Sequence, residues 1–222
     1  MNRRTPLTQD RIVTAAIEVA DEQGFDAVSM RRVALHLGTG TMSLYRHVAD
    51  KGELVSAMVD RVTGEYSCTG ADTSGMGWRE RMHLLARSDW RMFMEHRWML
   101  AATTTLAPPF GPDSLASMEW ALEALSPLGL APHEAARVIM TVTTYVQGSV
   151  RVVLGGPGQV RDQDSPGAAD PGLQWQARLR DQDIHRFPRL EELVHGHRPE
   201  ADRDWFADGL DLILDGVPDR SR

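Results

Sequence analysis

The sequence has few of the residues on which disulfides, membrane spans and export signals depend. Cys68 is its single cysteine, so no disulfide can form within the chain, and a reducing cytoplasm is the expected compartment. The first residues are polar, which argues against a signal peptide. The longest uncharged run, residues 98–112, is interrupted by threonines and prolines, so we expect no membrane span.

Residue combinations typical of catalysis are also missing. The sequence has no glycine-rich phosphate loop, no serine nucleophile elbow and no paired catalytic carboxylates. His195 and His197 lie close together in a proline-flanked segment, but without a nearby cysteine they indicate a solvated loop rather than a metal site. We therefore expect no enzymatic activity, no cofactor and no metal.

Apolar residues, in contrast, recur at helical spacing along most of the chain, and no segment alternates as a strand would. The expected fold is all-α, with an N-terminal three-helix helix-turn-helix domain and a larger helical domain. The glycine-rich stretch near residues 68–77 divides them into residues 1–67 and 76–222. Helices are predicted at about 8–23, 29–37, 41–48, 50–67, 78–94, 96–106, 113–125, 133–154, 173–183 and 203–217, with a loop at 155–172 and a less regular stretch at 184–199.

Residues 29–54 have the pattern of a helix, a sharp turn and a second short helix. Ser29 is a suitable N-cap for the first helix, and Gly38 lies where the turn favours a positive φ. Leu44 and Val48, four residues apart, would form the buried stripe of the second helix. A short helix whose first turn is exposed can enter the major groove of DNA, so the sequence predicts DNA binding.

The exposed residues of this motif are the candidate DNA contacts. Thr41, Met42 and Tyr45 are expected to face the groove, and Ser43 belongs to the same short helix. Arg31 is the best candidate for a bidentate contact with guanine. Arg46 could make a similar contact or remain solvated.

Other candidate contacts are with phosphates, which position a protein without selecting a sequence. His47 and Lys51 are expected in this role. Ser29 and Thr39 could contribute phosphate hydrogen bonds or serve as helix caps, and the two roles are compatible. The formal charge of the chain is −7, whereas residues 1–51 carry seven basic and six acidic side chains, so this part repels phosphate least.

These motifs resemble those of the TetR family. The DNA-binding domain of that family is similar in Ser29–Ala34, in Leu44-Tyr45-x-His47 and in Lys51-x-Glu53-Leu54. Asp208–Gly216 resembles the last helix of the tetracycline-repressor subgroup, and Tyr145–Gly148 resembles its long dimerisation helix. The resemblance implies a homodimeric transcriptional repressor that leaves palindromic double-stranded operator DNA when a small-molecule effector binds its C-terminal domain.

Tetracycline repressors bind their drug as a magnesium chelate, and two residues that this resemblance would require are missing. The expected histidine falls in Ala101–Thr105, and the expected acidic residue falls near Val152. We therefore expect an effector bound without metal. For the dimer we expect helices 133–154 and 203–217, because residues 138–150 are uncharged and Gly209 and Gly216 would allow close approach.

Aromatic, methionine and polar side chains on the C-terminal helices suggest a pocket for an apolar or aromatic molecule. For any single aromatic or methionine, ordinary core packing is the alternative, whereas polar groups on apolar helices need partners when buried. The candidates are Trp90, Met94, Trp98, Met99, Thr103, Trp120, Met140, Thr144, Tyr145 and Gln147.

Two other functions remain open at this point. The chain could be a helical small-molecule-binding protein or enzyme whose N-terminal helices serve only packing. It could also bind DNA while responding to a protein partner, or to nothing. Binding to promoter DNA would distinguish a DNA-binding regulator from the first alternative. A regulatory domain whose core is closed and free of water would favour the second.

Overall fold

The computed structural model describes residues 6–105, 111–155, 178–180, 182–195 and 204–220. All regular structure in these ranges is helical, as predicted. The helices are α1 (Gln9–Gln23), α2 (Met30–His36), α3 (Thr41–Leu44), α4 (Lys51–Glu65), α5 (Trp78–Glu95), α6 (Met99–Thr105), α7 (Pro112–Leu125), α8 (Pro132–Gly155), α9 (Pro188–His195) and α10 (Trp205–Asp215).

The predicted helix ends are confirmed where a side chain caps them. Thr8, Ser29 and Asp50 precede α1, α2 and α4, and each side chain accepts a hydrogen bond from a backbone N–H three residues later. Gly38 has φ 63°, the left-handed conformation that the turn after α2 requires. The predicted helix 41–48 is shorter than expected, because α3 ends at Leu44.

The chain divides into two compact units, residues 1–126 and residues 127–222. The first unit contains α1–α7, and α4 makes its most extensive contacts with α7. The structure therefore groups α5–α7 with the N-terminal helices, whereas the sequence places a domain boundary at the glycine-rich stretch near residue 70. That domain boundary stays a prediction.

In the second unit, α8 packs against α10 through one face only. Val142 and Val146 are fully buried, whereas Met140 is 67% exposed and Val152 is 55% exposed. In the single chain, the uncharged residues 138–150 thus lie partly on a buried face and partly on an exposed face of α8. The length and mean hydropathy of α8 would also suit a membrane span, but a helix that packs in a folded domain has the same composition.

Helix α9 occupies part of the stretch that the sequence predicts to be less regular. Pro188 begins it, at a position where the missing N–H of proline costs nothing. Glu191 and Glu192 make its polar side, and buried Val194 makes its apolar side. Of the predicted loop 155–172, Gly155 is the last residue of α8 and the rest lies outside the described residues; of the predicted helix 173–183, residues 178–180 are helical, and residues 173–177 and 181 lie outside the described residues.

Candidate nucleic-acid interface

Helices α2 and α3 are joined by a tight turn that two backbone hydrogen bonds hold in place. The N–H of Gly38 donates to the Leu35 carbonyl at 3.1 Å, and the N–H of Thr39 donates to the Ala34 carbonyl at 2.9 Å. Ala34 is 2% exposed, so its small side chain allows the close crossing. Leu44 and Val48 are 0% and 1% exposed and hold α3 on the core, as predicted.

The outward side of α3 and of the turn that follows it combines an apolar, an aromatic and a cationic side chain. Met42 is 76% exposed, Tyr45 is 45% exposed, and Arg46 is exposed as well. Thr41 and Ser43 are partly exposed at the same short helix. The Met42 side chain and the Tyr45 ring are therefore free to contact another molecule.

Arg31 on α2 is exposed beside this surface. We use the name DNA-facing surface for five of the candidate DNA contacts, Arg31, Thr41, Met42, Tyr45 and Arg46. Leu35, on the same helix as Arg31, is 68% exposed and was not among the predicted contacts. The sequence places two leucines near the end of α2, and only packing decides that Leu35 is exposed while Leu37 is partly covered.

The residues expected at phosphates lie around the same motif. His47 and Lys51 are exposed, and the Lys51 Nζ atom lies 5.6 Å from the centre of the Phe25 ring. Ser29 Oγ accepts a hydrogen bond from the Arg32 N–H at 3.2 Å, which shows the capping role, and its phosphate contact stays a prediction. Thr39 is half-buried in the turn.

One carboxylate that sequence reasoning missed fixes α1 to the segment between α5 and α6. Asp21 on α1 lies 2.9 Å from His96 Nδ1, and it accepts a hydrogen bond from Trp98 Nε1 at 2.8 Å. The Trp98 ring also stacks on Phe25, with ring centres 6.4 Å apart. These contacts account for the burial of Trp98 without a ligand, whereas the sequence suggests it as a pocket residue.

A tyrosine at the end of α4 adds a second connection. The Tyr66 hydroxyl donates to Glu95, and Ser88 Oγ donates to the Tyr66 carbonyl at 2.5 Å. Burial and the neighbouring carboxylate raise the pKa of Tyr66 well above its usual value, so the phenol keeps its proton and remains a donor.

Six of the candidate effector residues lie in the first unit. Trp90, Met94, Trp98 and Met99 are buried there, and Trp120 is half-buried. The Thr103 hydroxyl donates to the Met99 carbonyl one turn earlier at 2.7 Å, so its polar group already has a partner.

The remaining four lie in the second unit. Met140 and Thr144 are on the exposed face of α8, and Gln147 is half-buried. The Tyr145 hydroxyl donates to the Phe206 carbonyl at 3.0 Å, and a side chain at Gly209 would collide with that hydroxyl. Gly209 thus allows close approach within the chain. No cluster of three or more metal-ligating side chains occurs in the part of the chain that the structure describes.

Comparison with known proteins shows the family. The model for bacterial regulatory proteins of the tetR family matches residues 12–58, and the tetracyclin repressor-like C-terminal domain matches residues 71–220. The HTH-type transcriptional repressor DrrR1 of Streptomyces coeruleorubidus is 37% identical over 222 residues, covering 95% of this chain and 77% of DrrR1.

Solved structures of ActR from Streptomyces coelicolor are similar over almost their whole length. Apo ActR has a TM-score of 0.75 at 30% identity, covering 96% of this chain and 95% of ActR. ActR in complex with actinorhodin has a TM-score of 0.74 at 31% identity, covering 96% and 97%.

A helix-turn-helix with an exposed second helix, joined to a larger helical domain, defines a DNA-binding transcriptional regulator rather than an enzyme. More particularly, the chain belongs to the TetR family. It is thus a soluble DNA-binding protein of a family that acts on operator DNA as dimers and binds small-molecule ligands.

Proposed function

We propose that two copies of this chain present their DNA-facing surfaces to the two half-sites of a palindromic operator and repress transcription from the cytoplasm. The observation that carries this proposal is the exposed outer side of α3, where Met42 and Tyr45 stand clear of the protein core. Thymine methyl groups and base edges in a major groove offer contacts to such side chains. Arg31 supplies the guanine contact in this arrangement, and His47 and Lys51 hold phosphates.

The dimer in this proposal forms through α8 and α10. One face of α8 exposes Met140, Thr144, Gly148 and Val152, and Leu212 on α10 is 77% exposed. We call these five residues the α8–α10 face. Exposed apolar side chains that share one face, here Met140, Val152 and Leu212, are typical of a protein–protein interface, and obligate dimers commonly bury more than about 2,000 Å². Met140 and Thr144 then serve the dimer rather than the effector pocket.

The effector in this proposal is an apolar or aromatic molecule bound without metal in the C-terminal domain. The aromatic and methionine side chains of α5–α7 support it, and so does the absence of histidine from residues 101–105. Actinorhodin is the ligand of one ActR complex at 31% identity, which makes it a reasonable first probe. An effector with about 100-fold preference for the DNA-incompetent dimer would contribute about 2.7 kcal/mol per site.

Selection from a random-sequence duplex library tests the DNA-binding part of the proposal. The expected result is an inverted repeat whose half-sites are centred about one helical turn apart or a multiple of it. The Tyr45→Ala variant should fail to enrich that repeat. Phe187→Ala, which removes another exposed aromatic ring, serves as the control and should enrich it. Recovery of no common sequence by the unmodified dimer would contradict the proposal.

Titration of the operator complex tests the effector part. Actinorhodin and tetracycline are added separately, each with and without magnesium, and release is followed by fluorescence anisotropy. Release that does not depend on magnesium supports the proposal. Release only when tetracycline and magnesium are both present would overturn the metal-free pocket.

A further inference from the structure

Asp60 on α4 reaches across to the beginning of α7, where it replaces the N-cap that α7 lacks. Its Oδ1 atom accepts hydrogen bonds from the Ser114 N–H and the Ser114 hydroxyl, both at 2.8 Å. Its other oxygen lies 3.5 Å from the Asp113 backbone nitrogen. The N-cap residue of α7 is Gly111, which has no side chain to accept these bonds.

Two glycines make this approach possible. A side chain at Gly111 would overlap the Asp60 carboxylate. A Cβ atom at Gly64, one turn further along α4, would lie 2.7 Å from Asp113 Oδ2. Both glycines have ordinary negative φ angles, so the requirement is for space rather than for an unusual backbone conformation. Three features thus meet where α4 contacts α7: the Asp60 carboxylate, a helix start without a side-chain cap of its own, and the space left by two glycines.

The next residue of α4 makes a connection to a different element. Arg61 donates a hydrogen bond to Asp10 in the first turn of α1. Consecutive residues of α4 therefore hold α7 and the helix-turn-helix domain. A further contact lies one turn along α7, where Ser117 Oγ donates to Ser67 Oγ at 2.9 Å.

We propose that Asp60 is a positioning residue that couples α7 to α4, so that movement in the regulatory helices reaches the DNA-facing surface through this joint. The inference rests on the proposed function, because it requires operator binding to shift α4. Coupling between two sites is reciprocal, so operator binding must also be felt at the first turn of α7. This consequence can be measured without knowing the effector.

Hydrogen–deuterium exchange of the full-length dimer, with and without operator duplex, is the test. In the unmodified protein, operator binding should change the exchange rates of residues 113–116. In Asp60→Ala, the Ser114 amide should exchange about fivefold faster without DNA, as for loss of an N-cap, and its response to operator should disappear. Protection of α3 by the operator should remain, since Asp60 does not belong to the DNA-facing surface.

Three further variants separate coupling from general loosening. Asp60→Asn keeps a carbonyl oxygen that can accept the Ser114 N–H bond, so it should restore the response. Ser114→Ala removes only the hydroxyl bond and should reduce the response in part, which keeps the test valid if Asp60→Ala does not fold. Glu65→Ala removes an exposed carboxylate from the same helix and should leave the response unchanged.

Two results would overturn the proposal: a full operator response at residues 113–116 in a folded Asp60→Ala dimer, or no response there in an unmodified protein that binds its operator. Failure of the proposed function looks different, because then the unmodified dimer would select no operator and α3 would gain no protection.

Discussion

The DNA-facing surface and the α8–α10 face are both left open in a single chain, but they differ in chemistry and in support. The DNA-facing surface combines two arginines, a threonine, a tyrosine and one methionine, on two helices of seven and four residues and on the turn that follows the second. The α8–α10 face combines methionine, valine and leucine on helices of 24 and 11 residues. The first suits a polyanion with base edges, and the second suits another copy of the same apolar surface.

This difference predicts different responses to solution conditions. Charged contacts with phosphate weaken steeply as salt increases, whereas burial of apolar surface does not. The two surfaces are also held in place by different contacts. The turn at Gly38 and the buried side chains of Leu44 and Val48 hold α3. A stacked aromatic pair, Tyr145 and Phe206 with ring centres 5.4 Å apart, holds α8 on α10. Substitutions can therefore damage one surface and spare the other.

The largest expected effect comes from charges placed in the α8–α10 face. The double variant Met140→Glu with Leu212→Glu should be monomeric in sedimentation experiments at micromolar concentration, because two carboxylates from each chain would be buried without partners. Operator affinity should then fall by about 100-fold or more, since the two half-sites are no longer bound by one particle. Leu115→Glu, which alters an equally apolar exposed residue on α7, should remain dimeric. A dimeric double variant would contradict the assignment of this face.

A smaller effect is expected from the DNA-facing surface. Tyr45→Ala should weaken operator binding by about tenfold per half-site, as for the loss of one good groove contact, and should leave the dimer and its helix content unchanged. Fluorescence anisotropy at fixed salt measures the affinity, and circular dichroism checks the fold. Phe187→Ala is the matched control. Equal affinities for the Tyr45→Ala variant and the unmodified protein would remove Tyr45 from the interface.

Lys51→Ala should reduce affinity for all DNA sequences to a similar extent. The slope of log affinity against log salt should fall by about one unit for each bound protomer, because one phosphate contact is lost. Arg189→Ala removes an exposed cation of α9 that pairs with Glu192, and its slope should not change. An unchanged slope for a folded Lys51→Ala protein would show that Lys51 holds no phosphate.

The smallest effect tests whether Ser29 has one role or two. Ser29→Ala removes the N-cap of α2 and should lower the free energy of unfolding by about 1 kcal/mol. Urea denaturation measures this change. Ser29→Asn restores the cap but not the hydroxyl geometry, so a loss of operator affinity common to both variants would indicate a phosphate contact. Undiminished affinity in both would leave capping as the sole role of Ser29.

Local chemistry explains which structural predictions succeeded. The caps Thr8, Ser29 and Asp50 and the turn at Gly38 depend on a side chain and a backbone group within four residues, so spacing predicts them. The burial of Leu44 and Val48 follows from helical periodicity in the same way. Helix α9 was not predicted although its opening proline and its amphipathic sequence favour a helix, because eight residues give only about two turns of periodicity.

Contacts between distant segments could not be predicted in this way. Asp21 meets His96 and Trp98 across 75 and 77 residues, and Asp60 meets Ser114 across 54 residues. Nothing near Asp60 in the sequence distinguishes it from a solvated aspartate on a helix. The contact between Gly209 and Tyr145 could not be predicted either, because the two residues lie on different helices, 64 positions apart in the sequence.

The sequence by itself determined the all-helical fold, the helix-turn-helix and the family, since these depend on periodicity, caps and short motifs that the chain carries locally. The tertiary structure alone decided that Trp98 is bonded to Asp21, that one face of α8 is exposed, and that the start of α7 is capped by Asp60. The physical reason is that burial and hydrogen bonding between helices depend on which faces meet. The periodicity of one helix shows only which of its faces is apolar. Which other helix covers that face is determined by the packing of the whole chain.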